Sequence, residues 1–206
     1  MYTEVDHPLL KQKLTVLRDS RTGTRDFRML ASEITMLLAY EALKTVSVAE
    51  DVVETPIAPC RGKRLVNDIV LVPILRAGVG MLEGVLNLVP TARVGFFGMY
   101  RDPVSKKPVT YYEKLPENLT EPIFFIIDPM LATGGSIVAA IDLLKRKGYF
   151  NIKVVSIISA PEGVSLVESK HPDVQMYLGS VDERLDERKY IVPGLGDAGD
   201  RLFGTK

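Results

Sequence analysis

Residues 128–136 read Asp128-Pro129-Met130-Leu131-Ala132-Thr133-Gly134-Gly135-Ser136, a carboxylate followed at close spacing by two glycines and two hydroxyls. The apolar run Ile123 to Ile127 precedes them, and a helical pattern over 136–148 follows. Strand, glycine turn and helix N-terminus is an arrangement that binds phosphate, because the helix presents unpaired N–H groups and the positive end of its dipole. Gly134 and Gly135 let the backbone approach a ligand, and Thr133 and Ser136 add hydroxyl donors. Asp128 can hold ribose hydroxyls or a hydrated metal, so the set suits a sugar phosphate better than a bare anion.

Two arginines stand where apolar strands end, Arg76 after 69–75 and Arg101 after 93–100. A lone arginine there is usually a solvated charge. Two beside a phosphate-binding turn read as clamps for a polyanion, since the guanidinium fork matches phosphate geometry. The tail Pro193-Gly194-Leu195-Gly196-Asp197-Ala198-Gly199-Asp200 is the third constellation. Its glycines would let main-chain groups reach a flat heterocycle edge-on, with Asp197 or Asp200 adding a metal or ribose contact. A simple turn suits the same residues, and chemistry alone leaves both readings open.

Other motifs carry less. Gly78, Gly80 and Gly84 imitate a dinucleotide fingerprint, but the spacing is G-x-G-x-x-x-G and Arg76 precedes the first glycine. No G-x-x-x-x-G-K-[ST] occurs, which excludes a Walker-type NTPase. His7 and His171 each precede a proline, lack metal-ligand spacing, and are expected at loop or cap positions. The single cysteine, Cys60, is expected to be a small buried hydrophobe.

The elements that position these residues follow from periodicity. A helix is expected over 24–44, capped by Thr24 or Asp26, and a strand or edge segment over 46–57. Apolar strands at 69–75, 93–100, 122–128, 153–160 and 174–180 alternate with helices at 78–89, 136–148 and 162–170. Continuous apolar strands between helices predict a doubly wound α/β fold around a mainly parallel five-stranded sheet. Ligands of such sheets bind at the carboxyl ends of the strands, where strand order reverses. Residues 101–121, with three prolines and strand-like residues around Val109 to Tyr112, read as a hairpin arm beside the site. Apolar residues in 186–205 predict that the tail packs as a C-terminal hood.

The 26 basic and 26 acidic residues cancel, so no whole-chain field draws nucleic acid or membrane. With 46% hydrophobic and 25% charged residues, one cysteine and no signal-like start, a cytoplasmic globular protein is expected.

Together VPILRAGVGM, DPMLATGGS and YIVPGLGDAGDR resemble the uracil phosphoribosyltransferases, within the type I phosphoribosyltransferases, and the opening HPLLKQKLTVLRDSRTGTRDFRML is similar to that family's N-terminal segment. The resemblance covers essentially the whole chain. It implies one domain over 1–206, with an N-terminal helical and edge segment (1–60), the arm (101–121) and a uracil-binding hood (181–206). It also implies transfer of ribose 5-phosphate from phosphoribosyl pyrophosphate (PRPP) to uracil, giving UMP and pyrophosphate with magnesium. By motif, Asp128 to Ser136 would cradle the 5′-phosphate and ribose, Arg76 and Arg101 would hold the pyrophosphate, and Ile191, Gly196, Asp197 and Ala198 would read uracil mainly through backbone groups. Asp197 would also meet the PRPP–magnesium assembly. The wider superfamily commonly ends this strand in two adjacent acids, and Pro129 here shifts the metal towards PRPP oxygens, water and Asp197. The resemblance further implies a homo-oligomer, dimer or tetramer, and GTP as an effector of some members. A nucleotide-sensing RNA-binding regulator on the same fold is the competing reading. It needs a basic face, yet basic and acidic residues interleave throughout (KLPENLTE, DERLDERK).

Overall fold

The computed structural model describes residues 1–101 and 108–205, the side chains of 99–101 and 108–110 excepted. In chain order the elements are β1 (Tyr2–Glu4), α1 (Pro8–Arg18), α2 (Thr24–Leu43), β2 (Val48–Glu54), β3 (Pro59–Leu65) and β4 (Ile69–Leu75). A 3-10 turn (Ala77–Met81) then runs into α3 (Leu82–Leu88), followed by β5 (Arg93–Val94), β6 (Phe96–Arg101), β7 (Pro108–Lys114) and β8 (Ile123–Ile127). The second half holds β9 (Met130–Leu131), α4 (Gly135–Arg146), β10 (Ile152–Ser156), β11 (Ile158–Ser159), α5 (Pro161–Lys170) and β12 (Gln175–Leu178). The chain ends with β13 (Arg184–Leu185), β14 (Ile191–Val192) and α6 (Ala198–Phe203).

The main sheet runs β1-β12-β10-β8-β4-β6-β7, with β5 also on β4. All its pairings are parallel except β6 with β7. Alternate residues of each central strand enter separate cores. Ile123, Phe125 and Ile127 of β8 face α1, α2 and α3, whereas Phe124 and Ile126 pack with α4 and α5. Burying both faces is what makes these strands continuous apolar runs. Each fully buried side chain of this kind stabilises the fold by about 1.5–3 kcal/mol.

Among the described residues the sheet has eight strands, not the expected five. β1 adds a parallel edge strand too short to show any period, β5 and β6 divide one expected strand, and β7 supplies an antiparallel edge. The segment expected as a strand or edge segment over 46–57 holds the strand β2, which pairs with β3 in a hairpin outside the main sheet. Cys60 lies on that hairpin and is exposed, which corrects the expectation of a buried residue. The expected helix over 78–89 opens as the 3-10 turn, with Gly78 against the backbone of β4 and β8. A Cβ there would sit 2.5 Å from the Ile127 carbonyl oxygen. The cap of α2 is Gly23, with no side-chain bond, in place of Thr24 or Asp26.

His7 caps α1, its Nδ1 accepting the Leu9 N–H at 3.2 Å, and His171 follows the last turn of α5. The tail does pack: Ile191, Leu195, Ala198 and Leu202 are buried in the core that contains α2. Among the described residues no helix is long and apolar enough to cross a membrane.

Candidate active site

β4 and β8 are parallel neighbours, and the chain runs outward from them in opposite directions, to β6 on one side and to β10 and β12 on the other. This is the reversal of strand order at which open α/β sheets bind ligands. Arg76 follows β4 and Asp128 follows β8, so the two residues flank one junction. The Leu75–Arg76 peptide is cis. Above the junction lies a cleft of about 480 Å³. Arg76 and Ala77 line one side, and Asp128 through Met130, Ala132, Thr133, Gly135 and Ser136 line another. Arg188, Lys189, Tyr190, Asp197, Ala198 and Gly199 close it from the C-terminal segment.

The loop after β8 is held from behind. β9 pairs in parallel with β11, Ile158 donates its N–H to the Pro129 carbonyl at 3.0 Å, and Ala160 donates to that of Leu131 at 2.9 Å. Leu131 is buried in the core as a result and does not line the cleft. Gly134 caps α4 in the left-handed region at φ 79, and a Cβ there would approach the Gly163 carbonyl oxygen at 2.8 Å. Gly135 differs. The nearest atom to a Cβ there is Thr133 Oγ1 at 3.9 Å, so space lies open in front of the first turn of α4. An anion can therefore reach the N–H groups of this helix end.

Asp128 is half-buried, and its Oδ1 accepts the Met130 N–H at 3.3 Å. Burial raises its carboxyl to about 7, only partly countered by that one hydrogen bond. Asp197 caps α6, one of its oxygens accepting the Asp200 N–H at 2.9 Å, which fixes the carboxylate at the rim of the cleft. A Cβ on Gly199 would meet Asp197 Oδ1 at 3.2 Å and Arg76 Nη2 at 3.7 Å, so the guanidinium of Arg76 reaches across to the start of α6. Cationic and acidic groups thus face one cavity from opposite chain segments.

Of the residues expected to contact uracil, Asp197 and Ala198 line this cleft. Ile191 points into the core, and Gly196 borders a neighbouring cavity of about 590 Å³ with Arg18, Gly194 and Arg201. Tyr190 and Asp197 line both cavities. Arg101 ends β6, but its side chain and residues 102–107 of the arm lie outside the described residues. Sequence reading missed Arg188, Lys189 and Tyr190. Their turn is set by Asp186, whose carbonyl accepts the Lys189 N–H at 3.0 Å and whose Oδ1 accepts the Tyr190 N–H at 2.8 Å. The one legible hint was two consecutive cations, Arg188-Lys189, just before the glycine-rich tail.

No cluster of three or more metal-ligating side chains occurs among the described residues. Asp128 and Asp197 are nevertheless two carboxylates on one cleft, and magnesium is commonly bound by one or two carboxylates together with substrate phosphates. The donor set fits that mode.

Known proteins resemble this chain in sequence and in fold. A family profile described as uracil phosphoribosyltransferase matches residues 4–205. Uracil phosphoribosyltransferases of Symbiobacterium thermophilum and Dictyoglomus thermophilum are 56% and 55% identical, covering 98% and 100% of this chain and 97% and 100% of theirs. A solved Aquifex aeolicus protein superposes with a TM-score of 0.93 at 42% identity, covering 100% of this chain and 99% of its own. A hypoxanthine phosphoribosyltransferase of Trypanosoma cruzi, at 11% identity and a TM-score of 0.51, covers 79% of this chain and 76% of its own and shares the fold alone.

Proposed function

The chain belongs to the uracil phosphoribosyltransferase family, and from that premise we propose that it transfers ribose 5-phosphate from PRPP to uracil, releasing pyrophosphate and UMP. The observation that carries the reading is the convergence on one cleft of Asp128, the open N-terminus of α4, Arg76 and the Asp197–Ala198 segment. The 5′-phosphate lies against the N–H groups of Gly135 and Ser136 and the hydroxyls of Thr133 and Ser136. Asp128 accepts from the ribose hydroxyls. Arg76, with Arg101 from the arm, binds the pyrophosphate, and Arg188 and Lys189 add positive charge from the opposite wall.

As the C1′–oxygen bond breaks, positive charge grows on the ribose and negative charge on the departing pyrophosphate. Arg76 stabilises the latter, and such preorganised electrostatic contacts are usually the largest contribution to catalysis. Asp197 and Asp128 would hold magnesium, which would neutralise part of the pyrophosphate charge. The main-chain groups of 196–198 hold uracil with N1 in line with C1′, a positioning task that needs no strong general base.

Assembly into a homo-oligomer is part of the same proposal. The β2–β3 hairpin stands outside the main sheet, with Val52 64% and Ile57 95% exposed. A lone two-stranded hairpin is only marginally stable, and exposed apolar residues on one favour a second copy packing against it.

The test is a base panel (uracil, cytosine, hypoxanthine and adenine) with PRPP and magnesium, following pyrophosphate release. Uracil alone should support turnover. Release with a purine and none with uracil would overturn the reading.

A further inference from the structure

One ion pair from distant parts of the chain holds both backbone polar groups of Gly194. Arg18, the last residue of α1, donates from Nη1 and Nη2 to Asp182 Oδ2 and Oδ1 at 2.7 and 2.5 Å. The same Nη1 donates to the Gly194 carbonyl at 2.7 Å, and Asp182 Oδ2 accepts the Gly194 N–H at 2.9 Å. Ser180 completes the set, its hydroxyl donating to Asp182 Oδ1 at 2.9 Å. The Asp182 side chain is 2% exposed and that of Arg18 24%, so water screens this pair weakly. Burial alone would raise the Asp182 carboxyl, yet Arg18, Ser180 and the Gly194 N–H hold it below the ordinary range.

The anchored residue is a special one. Gly194 has φ 62, and a Cβ on it would collide with the Ile191 carbonyl. Two residues on is Gly196, also left-handed at φ 82, and then Asp197 and Ala198 on the cleft wall. Arg201 ties the same stretch to the α1–α2 connection, donating to the Leu195 carbonyl at 2.9 Å and the Asp19 carbonyl at 2.6 Å. Neither Arg18 nor Asp182 lines the cleft that holds Asp128. Their forked contacts end on the backbone of the loop that leads into it.

We propose that Arg18 and Asp182 are positioning residues for base recognition, fixing Gly194 so that the backbone of 196–198 meets the base at the correct height. The proposal rests on the uracil reading above and assigns the N-terminal helix a part in it. Charge-assisted forks fix orientation as well as distance, and a lysine at Arg18 loses the planar geometry that spans the carboxylate and the carbonyl together.

The test measures UMP formation for wild type, Asp182→Asn and Arg18→Lys, varying uracil at saturating PRPP and then PRPP at saturating uracil. Thermal melts of each protein accompany the kinetics, and Arg21→Gln, an exposed residue paired with the Asp19 carboxylate and not with Arg18, Asp182 or Gly194, serves as control. The expected result is a uracil KM raised at least 10-fold in Asp182→Asn and at least fivefold in Arg18→Lys, with the PRPP KM within twofold of wild type. Should Asp182→Asn not fold, Arg18→Lys decides alone. A uracil KM within twofold of wild type in Arg18→Lys, or both KM values rising together, overturns the positioning role. A wild type that forms no UMP overturns the uracil reading and this proposal with it.

Discussion

The Asp128 carboxylate meets the backbone N–H of Met130 at 3.3 Å, and that is a weak counterweight to the burial that raises it to about 7. A carboxyl raised in the folded state favours folding at low pH. Its contribution is fully present below 3.8, the unfolded value, and is lost as pH rises through about 7. Asp128→Asn, which keeps an oxygen for the Met130 N–H, should therefore match wild type near pH 4 and exceed it increasingly up to pH 8. The upper bound is about 4 kcal/mol, and less is expected for a half-buried carboxyl. Activity should fall at every pH. Melting temperatures across this range check the claim, and a difference that does not vary with pH would sink it.

Gly134 and Gly135 are adjacent yet should fail differently. Gly134→Ala forces a side chain into the left-handed region and against the Gly163 carbonyl, so it should cost about 1–3 kcal/mol of stability as well as PRPP affinity. Gly135→Ala places its methyl in open space before α4, and stability should change by less than about 0.5 kcal/mol. PRPP affinity should still fall, because the methyl stands where the phosphate approaches. Denaturant titration paired with PRPP binding separates the two. Equal losses of stability would contradict the assignment.

Arg76→Met removes the cation that reaches from the end of β4 towards the start of α6. Loss of one preorganised contact to developing charge costs about 2.7–4 kcal/mol in comparable cases, or about 10²–10³ in kcat. Steady-state rates at saturating substrates are the check. A variant with a raised PRPP KM and unchanged kcat would show that Arg76 binds substrate and transition state alike.

Those residues were legible because their environment leaves a mark in the sequence. The strands β4 and β8 are buried on both faces, which turns Ile69 to Leu75 and Ile123 to Ile127 into continuous apolar runs. The loop after β8 lies between two such signals, and its glycines have steric reasons visible as residue types. Arg188, Lys189 and Tyr190 carry no such mark, since Asp186 shapes their turn and the β13–β14 pairing swings it over the cleft. The Ile191 side chain lies in the core through the tail's packing on α2, whereas the expected uracil contact was one of its main-chain groups. Cys60 was misread because the separate hairpin is a tertiary outcome, with β2 and β3 both lacking the apolar runs that mark the main sheet.

Arg201 tests how far the tail's fold depends on polar tethers. Its guanidinium donates to the carbonyls of Leu195, Asp19 and Thr22 at 2.9, 2.6 and 3.3 Å and lies over the Phe27 ring at 4.3 Å. Arg201→Met keeps much of the apolar stem against Phe27 but leaves these carbonyls without their donor. Hydrogen bonds to charged groups contribute about 1.5–3 kcal/mol each and do not add fully within one network, so a loss of about 2–4 kcal/mol is expected. Arg201→Lys should recover less than half of it, because one ammonium cannot span carbonyls on two sides of a planar fork. Denaturant midpoints of both variants decide the matter. A methionine variant within about 0.5 kcal/mol of wild type would mean that apolar packing by Leu195 and Leu202 holds the tail without the guanidinium.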